Sequence, residues 1–245
     1  MVKQVLYDIE TFPNVLTNWD LYFKGYLSPD NIVQERSLIC ASWKTLGESE
    51  IHSVCVPQKD VFNDEMVVKT LYKALSDADE IIGHNADDYD LPVLRSRGVL
   101  YGLKPLPPII QTDTYRIAKK FFRFNSNKLD YLAKYLGVGE KIKTDYSLWQ
   151  RCMRGDADAL EEMVTYNMND VVLLEQIYTL LSVYAPAKLN KNLITEENNC
   201  PRCGSNRLER RGFNYTQAGK RQRYQCKECG HWSHSGIKFS KLIRS

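Results

Sequence analysis

Over the first sixty positions apolar residues cluster in short runs of strand formers, and runs 3–10, 37–46 and 50–57 read as three strands, the last two meeting at a turn at Gly47. Their spacing fits an antiparallel set. Residues 14–35 show no period and contain the turn Ser28-Pro29-Asp30. The period then becomes helical: Val67, Leu71, Ala74 and Leu75 share one face of a helix over 64–77, with Asn63 as its cap. Residues 80–83 read as a fourth strand, and 89–97 as a helix that tolerates Pro92 only in its first turn. Residues 109–112 read as a further strand, with a helix after Asp113. Leu129, Leu132, Ala133 and Leu136 stripe a helix that begins near Asn127 and ends at Gly137. A long helix from 156–158 to about Tyr184, stopped before Pro186, carries Leu160, Val164, Val171, Leu174, Tyr178 and Leu181 on its core face. The pattern predicts an α/β domain over 1–186, a polar linker over 187–198 and a small module over 199–245.

Composition adds exclusions. The chain has 245 residues, with apolar and charged fractions of 43% and 26%, ordinary for a globular protein. It has no run of 18 or more apolar residues, and its start lacks a basic stretch followed by an apolar block. A cytoplasmic protein with no membrane partner is therefore expected. Charge separates the two ends: residues 191–245 hold 12 Lys+Arg and 4 Asp+Glu, net +8, so with +3 overall residues 1–190 carry −5. A basic module on an acidic body suits a polyanion, and nucleic acid is the expected partner.

Candidate chemistry lies in three carboxylate-bearing segments. In Val5-Leu6-Tyr7-Asp8-Ile9-Glu10-Thr11 the strand period puts Asp8 and Glu10 on one face. Inside a covered sheet two such acids need a cation; on an edge strand they would simply be solvated. Asp90, in Gly83-His84-Asn85-Ala86-Asp87-Asp88-Tyr89-Asp90, falls near a helix start, where the helix dipole alone favours an acid. Tyr166 and Asp170 stand one helical turn apart and project to one side.

Taken together, Asp8-Ile9-Glu10-Thr11, Gly83-His84-Asn85 with Tyr89-Asp90, and Tyr166-x-x-x-Asp170 resemble the three exonuclease motifs of the DEDDy branch of DnaQ-like 3′-5′ exonucleases. The likeness spans roughly 3–184 and implies a ribonuclease H-like fold, a mixed sheet flanked by helices. It further implies that Asp8, Glu10, Asp90 and Asp170 hold two Mg²⁺ or Mn²⁺ ions and that Tyr166 orients the attacking water. Thr11, His84 and Asn85 fall where substrate contact is expected, a structural role for His84 being the alternative. Two hard cations on carboxylate oxygens can activate water and stabilise the departing oxygen of a phosphodiester, DNA more readily expected than RNA, at single strands or 3′ ends.

The terminal module holds Cys200-Pro201-Arg202-Cys203-Gly204 and Cys226-Lys227-Glu228-Cys229-Gly230, two knuckles whose four thiolates suit one structural Zn²⁺. Residues 207–216 and 220–225 read as a hairpin around Gln217-Ala218-Gly219, and the whole resembles a zinc ribbon like those of some transposases. Arg210, Arg211, Arg221, Arg223 and Tyr224 suit phosphate contact and base stacking. A protein-binding ribbon is the alternative use of the same charge, and an inert adaptor acting through the ribbon is the alternative to an enzyme. Lys119-Lys120-Phe121-Phe122-Arg123-Phe124 either guides a strand or packs the core.

Overall fold

Gln4–Thr11 (β1) is the central strand of a five-stranded sheet ordered β5-β4-β1-β6-β7 in the computed structural model, which describes residues 2–20, 22, 24–192, 199–217 and 219–235. Its residues Val5, Leu6 and Tyr7 are at most 1% exposed, so the strand is covered on both faces, as its unbroken run of strand formers requires. Leu38–Thr45 (β4) pairs antiparallel with β1, with Glu10 opposite Cys40, and His52–Cys55 (β5) continues that half of the sheet. On the other side Glu80–Gly83 (β6) and Ile110–Asp113 (β7) run parallel to β1. Parallel strands direct their carboxyl ends to one rim of the sheet, the edge on which open α/β sheets gather functional groups.

Two apolar clusters clamp the sheet. Val5, Tyr7 and Ile9 join Val67 and Leu71 of Glu65–Ser76 (α1) and Leu91 and Leu94 of Asp90–Leu100 (α2). Leu6 and Ile82 join Thr114–Phe121 (α3), Leu129–Leu136 (α4) and the long Ala157–Leu181 (α6), through Ile117, Leu132, Leu174 and Ile177. By the strand alternation Asp8 and Glu10 share the face of Leu6, and so look toward α6. Each fully buried Leu or Ile in these clusters contributes about 1.5–3 kcal/mol relative to exposure.

Several features go beyond the hydrophobic pattern. Within 14–35 lie Val15–Leu16 (β2) and Ile32–Gln34 (β3), a separate two-stranded ribbon. Tyr146–Met153 (α5) packs against α6 but is too short and polar to show a period; Asp145 caps it by accepting from Ser147 N at 2.8 Å. At α1, Asn63 Oδ1 accepts from Glu65 N at 3.3 Å, while Asp64 turns inward to bind Arg97 at 2.6 and 2.8 Å and Leu38 N at 2.8 Å. That fully buried carboxylate ties α1 to α2 and β4.

Leu208–Thr216 (β8), Gly219–Cys226 (β9) and Trp232–His234 (β10) form a three-stranded sheet, the third strand being an addition to the expected hairpin. The module touches the body: Arg202 donates to Ala185 O at 2.8 Å, and His231 Nδ1 lies 3.4 Å from Val183 O. Part of the expected linker (193–198), Ala218 of the expected turn and 236–245 lie outside the described residues. Among the described residues no helix is long and apolar enough to cross a membrane.

Candidate functional site

Asp8, Glu10 and Asp170 bring carboxylate oxygens within 4.8 Å of one another at the carboxyl end of β1. Asp90, the first residue of α2, joins them from the opposite side: its Oδ1 accepts from Ile9 N at 3.3 Å, between the two β1 acids. Asp90 and Asp170 are 5% and 2% exposed, while Asp8 and Glu10 are half-buried and face the opening. Three carboxylates from two segments far apart in the chain therefore meet at one point, and Asp90, from a third, is near enough to raise Asp8 and Glu10.

Their electrostatics show what that arrangement costs. Burial, then Asp90, Asp170 and Glu10, pushes the Asp8 carboxyl well above the usual range. Burial lifts Glu10 to about 8 against the opposing pull of Lys141, and lifts Asp90 to about 7 against hydrogen bonds from backbone amides. Asp170 is raised by burial and held back by Lys141. Acids so placed must be neutralised, paired or metal-bound. Lys141 Nζ, 2.6 Å from Asp170 Oδ2 and 4.5 Å from the Tyr166 ring centre, balances only one charge, and the buried Asp170 Oδ1 has no hydrogen-bond partner. The hard-oxygen donor set and the orphan oxygen fit divalent cations. Tyr166 is buried, edge-on to Trp149, and burial raises its phenol to about 12, which keeps it a proton donor.

Several neighbours escaped the sequence reading. Asn167 is fully buried and donates to Asp8 Oδ2 at 2.6 Å; an asparagine inside the buried stripe of α6 was the one available signal. Lys141 comes from an unpatterned loop pinned to α6 by Asn169 Nδ2 donating to Glu140 O at 3.3 Å and by Gly139, where a Cβ would lie 2.8 Å from Leu173. Asp113 caps α3 and also accepts from Asn85 N at 2.9 Å and Asp87 N at 3.2 Å, which fixes the loop that delivers Asp90. In that loop Asn85 has φ +64°, and an added Cβ at Gly83 would sit 2.3 Å from that of Ala86, so the tight turn needs glycine.

The expected contact residues fall in different places. Thr11 Oγ1 is 2.7 Å from Tyr89 OH, and both border a groove of about 560 Å³ that also meets Glu10, Arg36, Trp149 and Tyr166. His84 has both ring nitrogens engaged, Nδ1 with Thr114 Oγ1 at 2.8 Å and Nε2 with Asn127 O at 2.9 Å, and burial lowers its pKa to about 4. Its ring thus joins β6, α3 and the start of α4. Lys119-Lys120-Phe121-Phe122-Arg123-Phe124 divides: Phe122 stacks on Phe124, while the lysines and Arg123 are exposed.

At the other end, the four sulfurs of Cys200, Cys203, Cys226 and Cys229 lie within 4.8 Å of one another, with pairs at 3.6 and 3.7 Å. Metal–sulfur bonds of about 2.3 Å in a tetrahedron give sulfur edges of roughly 3.8 Å, whereas a disulfide needs about 2.05 Å. The geometry is that of a metal ligand set. Gly204 and Gly230 take positive φ at the two knuckles, as their turns require. The register pairs Arg210 with Tyr224 on one face of the ribbon sheet and puts Arg221 and Arg223 on the other, while Arg211 is paired with Glu209 at 2.8 Å. The five candidate contacts therefore do not share one surface.

The solved structure of the family B DNA polymerase from the hyperthermophilic archaeon Pyrobaculum calidifontis is similar over 89% of this chain, with a TM-score of 0.57 and 15% identity. The chain spans 31% of that polymerase's length, and identity this low speaks to the fold alone. No curated protein matches the sequence. A family model described as the RNase_H superfamily matches residues 39–182, a stretch that includes Asp90, Tyr166 and Asp170 and starts after Asp8 and Glu10. With more than half its length under that model and a mixed sheet of the corresponding kind, the chain belongs to the RNase_H superfamily, a nuclease-type fold.

Proposed function

We propose that this protein is a metal-dependent 3′-5′ exonuclease of the DEDDy type, with its catalytic body over 1–186. The observation that carries this reading is the meeting of Asp8, Glu10 and Asp170, with Asp90 held beside them on the Ile9 amide and too little positive charge among them. These four would hold two Mg²⁺ or Mn²⁺ ions, which when bound supply activation of water and stabilisation of the leaving oxygen. Tyr166, protonated and beside Glu10, orients the attacking water by hydrogen bonding; a phenol raised to about 12 is a poor base. Asn167 fixes the Asp8 carboxylate. The groove between Tyr89, Arg36 and Trp149 receives the strand end, where aromatic faces stack bases and the guanidinium meets phosphate.

The cysteine cluster would hold one structural Zn²⁺, and the basic ribbon over 199–245 would grip nucleic acid along the strand. A 5′-labelled oligonucleotide, DNA or RNA, incubated with Mg²⁺ or Mn²⁺ should give a descending ladder. Rapid cutting of closed circular single-stranded DNA, or no cutting of any linear strand, defeats the assignment. For the ribbon, deletion after Asn190 should raise KM on long substrates and flatten the salt dependence of binding, because fewer phosphates are neutralised. An unchanged salt slope would point instead to a protein partner for the ribbon.

A further inference from the structure

A second cavity, of about 300 Å³, opens where the first knuckle meets the body, away from the carboxylate cluster. It borders Tyr178, eight residues beyond Asp170 on α6, which is about 12 Å along a helix. At its base sits Glu80, 3% exposed, accepting from Gln4 Nε2 at 2.6 Å and Thr112 Oγ1 at 2.5 Å. Both donors are neutral, and a carboxylate offers about four lone-pair sites, so this buried acid has acceptor capacity to spare. Its walls are mixed, apolar at Ile117, Phe121 and Leu189 and polar at Asp113 and Ser182.

Positive charge gathers around the space. Lys120 has no acidic partner among the described residues, Lys188 donates to Gln111 O, and Arg202, whose Nε is buried, donates to Ala185 O and reaches the Tyr178 hydroxyl. Arg116 also borders the space, but Asp87 at 3.0 Å and Asp88 at 2.7 Å already occupy its guanidinium. An acceptor at the bottom, an apolar strip along one side and cations around it are complementary to a group with amino hydrogens on a flat ring at one end and phosphate at the other. We propose that this cavity is a nucleotide-binding site, distinct from the catalytic centre, that takes an amino-bearing base against Glu80 and places its phosphate between Lys120, Lys188 and Arg202. The nucleotide could come free, as a mononucleotide, or as a unit of a bound strand. Because Arg202 belongs to the ribbon and Glu80 to the sheet, the occupant bridges the two.

The site is tested by titrating dAMP and dTMP calorimetrically into the full chain with its structural metal retained and no other divalent cation added. One equivalent of dAMP is expected, with dTMP, which lacks an amino group, about tenfold weaker, in keeping with a buried carboxylate that can accept one more donor. Asp8→Ala should leave dAMP binding unchanged, which separates this cavity from the catalytic centre. Lys120→Glu, an exposed change that leaves the core intact, should weaken dAMP by about tenfold or more, and Glu80→Gln should erase the preference over dTMP. Anisotropy of a labelled single strand distinguishes the sources: a free mononucleotide site leaves strand affinity untouched in Lys120→Glu, whereas a strand site lowers it and binds dAMP weakly. Loss of dAMP binding in Asp8→Ala with retention in Lys120→Glu overturns the proposal. So does indifference of both dAMP and strand binding to Lys120→Glu.

Discussion

The two ligand clusters of this molecule are built by opposite means. The carboxylates come from β1, α2 and α6, more than 160 residues apart at the extremes, and each is aimed by apolar packing and by hydrogen bonds such as Asn167 to Asp8 and Ile9 to Asp90. The thiols come from two local turns in a module with few buried apolar residues, Cys200 and Cys226 among them. The first cluster is therefore a by-product of a core that folds for other reasons. The second has little core behind it, so a bound metal would supply much of what folds it. One cluster is preformed and strained by its own charge; the other would depend on an ion to hold its shape.

The largest expected effect follows from that dependence. Cys203→Ser should release the metal and unfold the ribbon, since structural zinc binding contributes about 10–16 kcal/mol in small domains. The thermal transition of the body should stay in place, which calorimetry with metal analysis would show; a single shared transition that collapses would contradict the contrast. Next comes Asp170→Ala, or Asp8→Ala, which should lower hydrolysis of a labelled oligonucleotide by ~10³-fold or more while the far-UV spectrum and zinc content stay unchanged. A variant that keeps near-native turnover would remove the carboxylates from the reaction. Asn167→Ala tests whether aiming matters as much as ligation, and activity should drop by about 10–100-fold, with higher metal concentrations needed for half-maximal rate.

The smallest effect is one of pH. His84 is held neutral, with its folded pKa near 4, below the usual value of about 6.5. The unfolded chain thus takes up a proton that the folded chain refuses, and His84 costs stability progressively as pH falls from about 6.5 to about 4, by up to ~3 kcal/mol. His84→Gln should flatten the pH dependence of the unfolding midpoint in that window. Equal slopes for the two proteins would mean that the ring is not buried neutral in solution.

Legibility followed the same division between local and distant. The knuckles could be read directly, because the ligands and the glycines that turn the chain sit within five residues of one another. The alternation of β1 and the period of α6 were also legible, and with them the pointing of Asp8 with Glu10 and of Tyr166 with Asp170. Lys141 was not, because it reaches Asp170 from a loop whose position depends on a glycine's close approach to Leu173. Asp113 marks only the start of a helix in the sequence, and nothing local reveals that it also holds the backbone of Asn85 and Asp87, some 26 to 28 residues earlier. Helix α5 stayed hidden because two buried residues, Leu148 and Cys152, make no period. The ribbon's charge was visible, but only the pairing register shows that it is shared between two faces.

The hold of Lys188 on Gln111 O has a practical consequence. Strand β7 is the outer strand of the five, and this ammonium caps a backbone carbonyl that points away from its neighbour β6. Unguarded strand edges recruit further strands, and a lysine across one is a common deterrent. A shortened protein that stops at Asn190 keeps the guard, whereas one that stops at Ala185 bares the edge. The shorter fragment should self-associate and precipitate sooner on concentration even though both retain every carboxylate of the cluster, so the choice of cut decides whether the isolated body remains monodisperse.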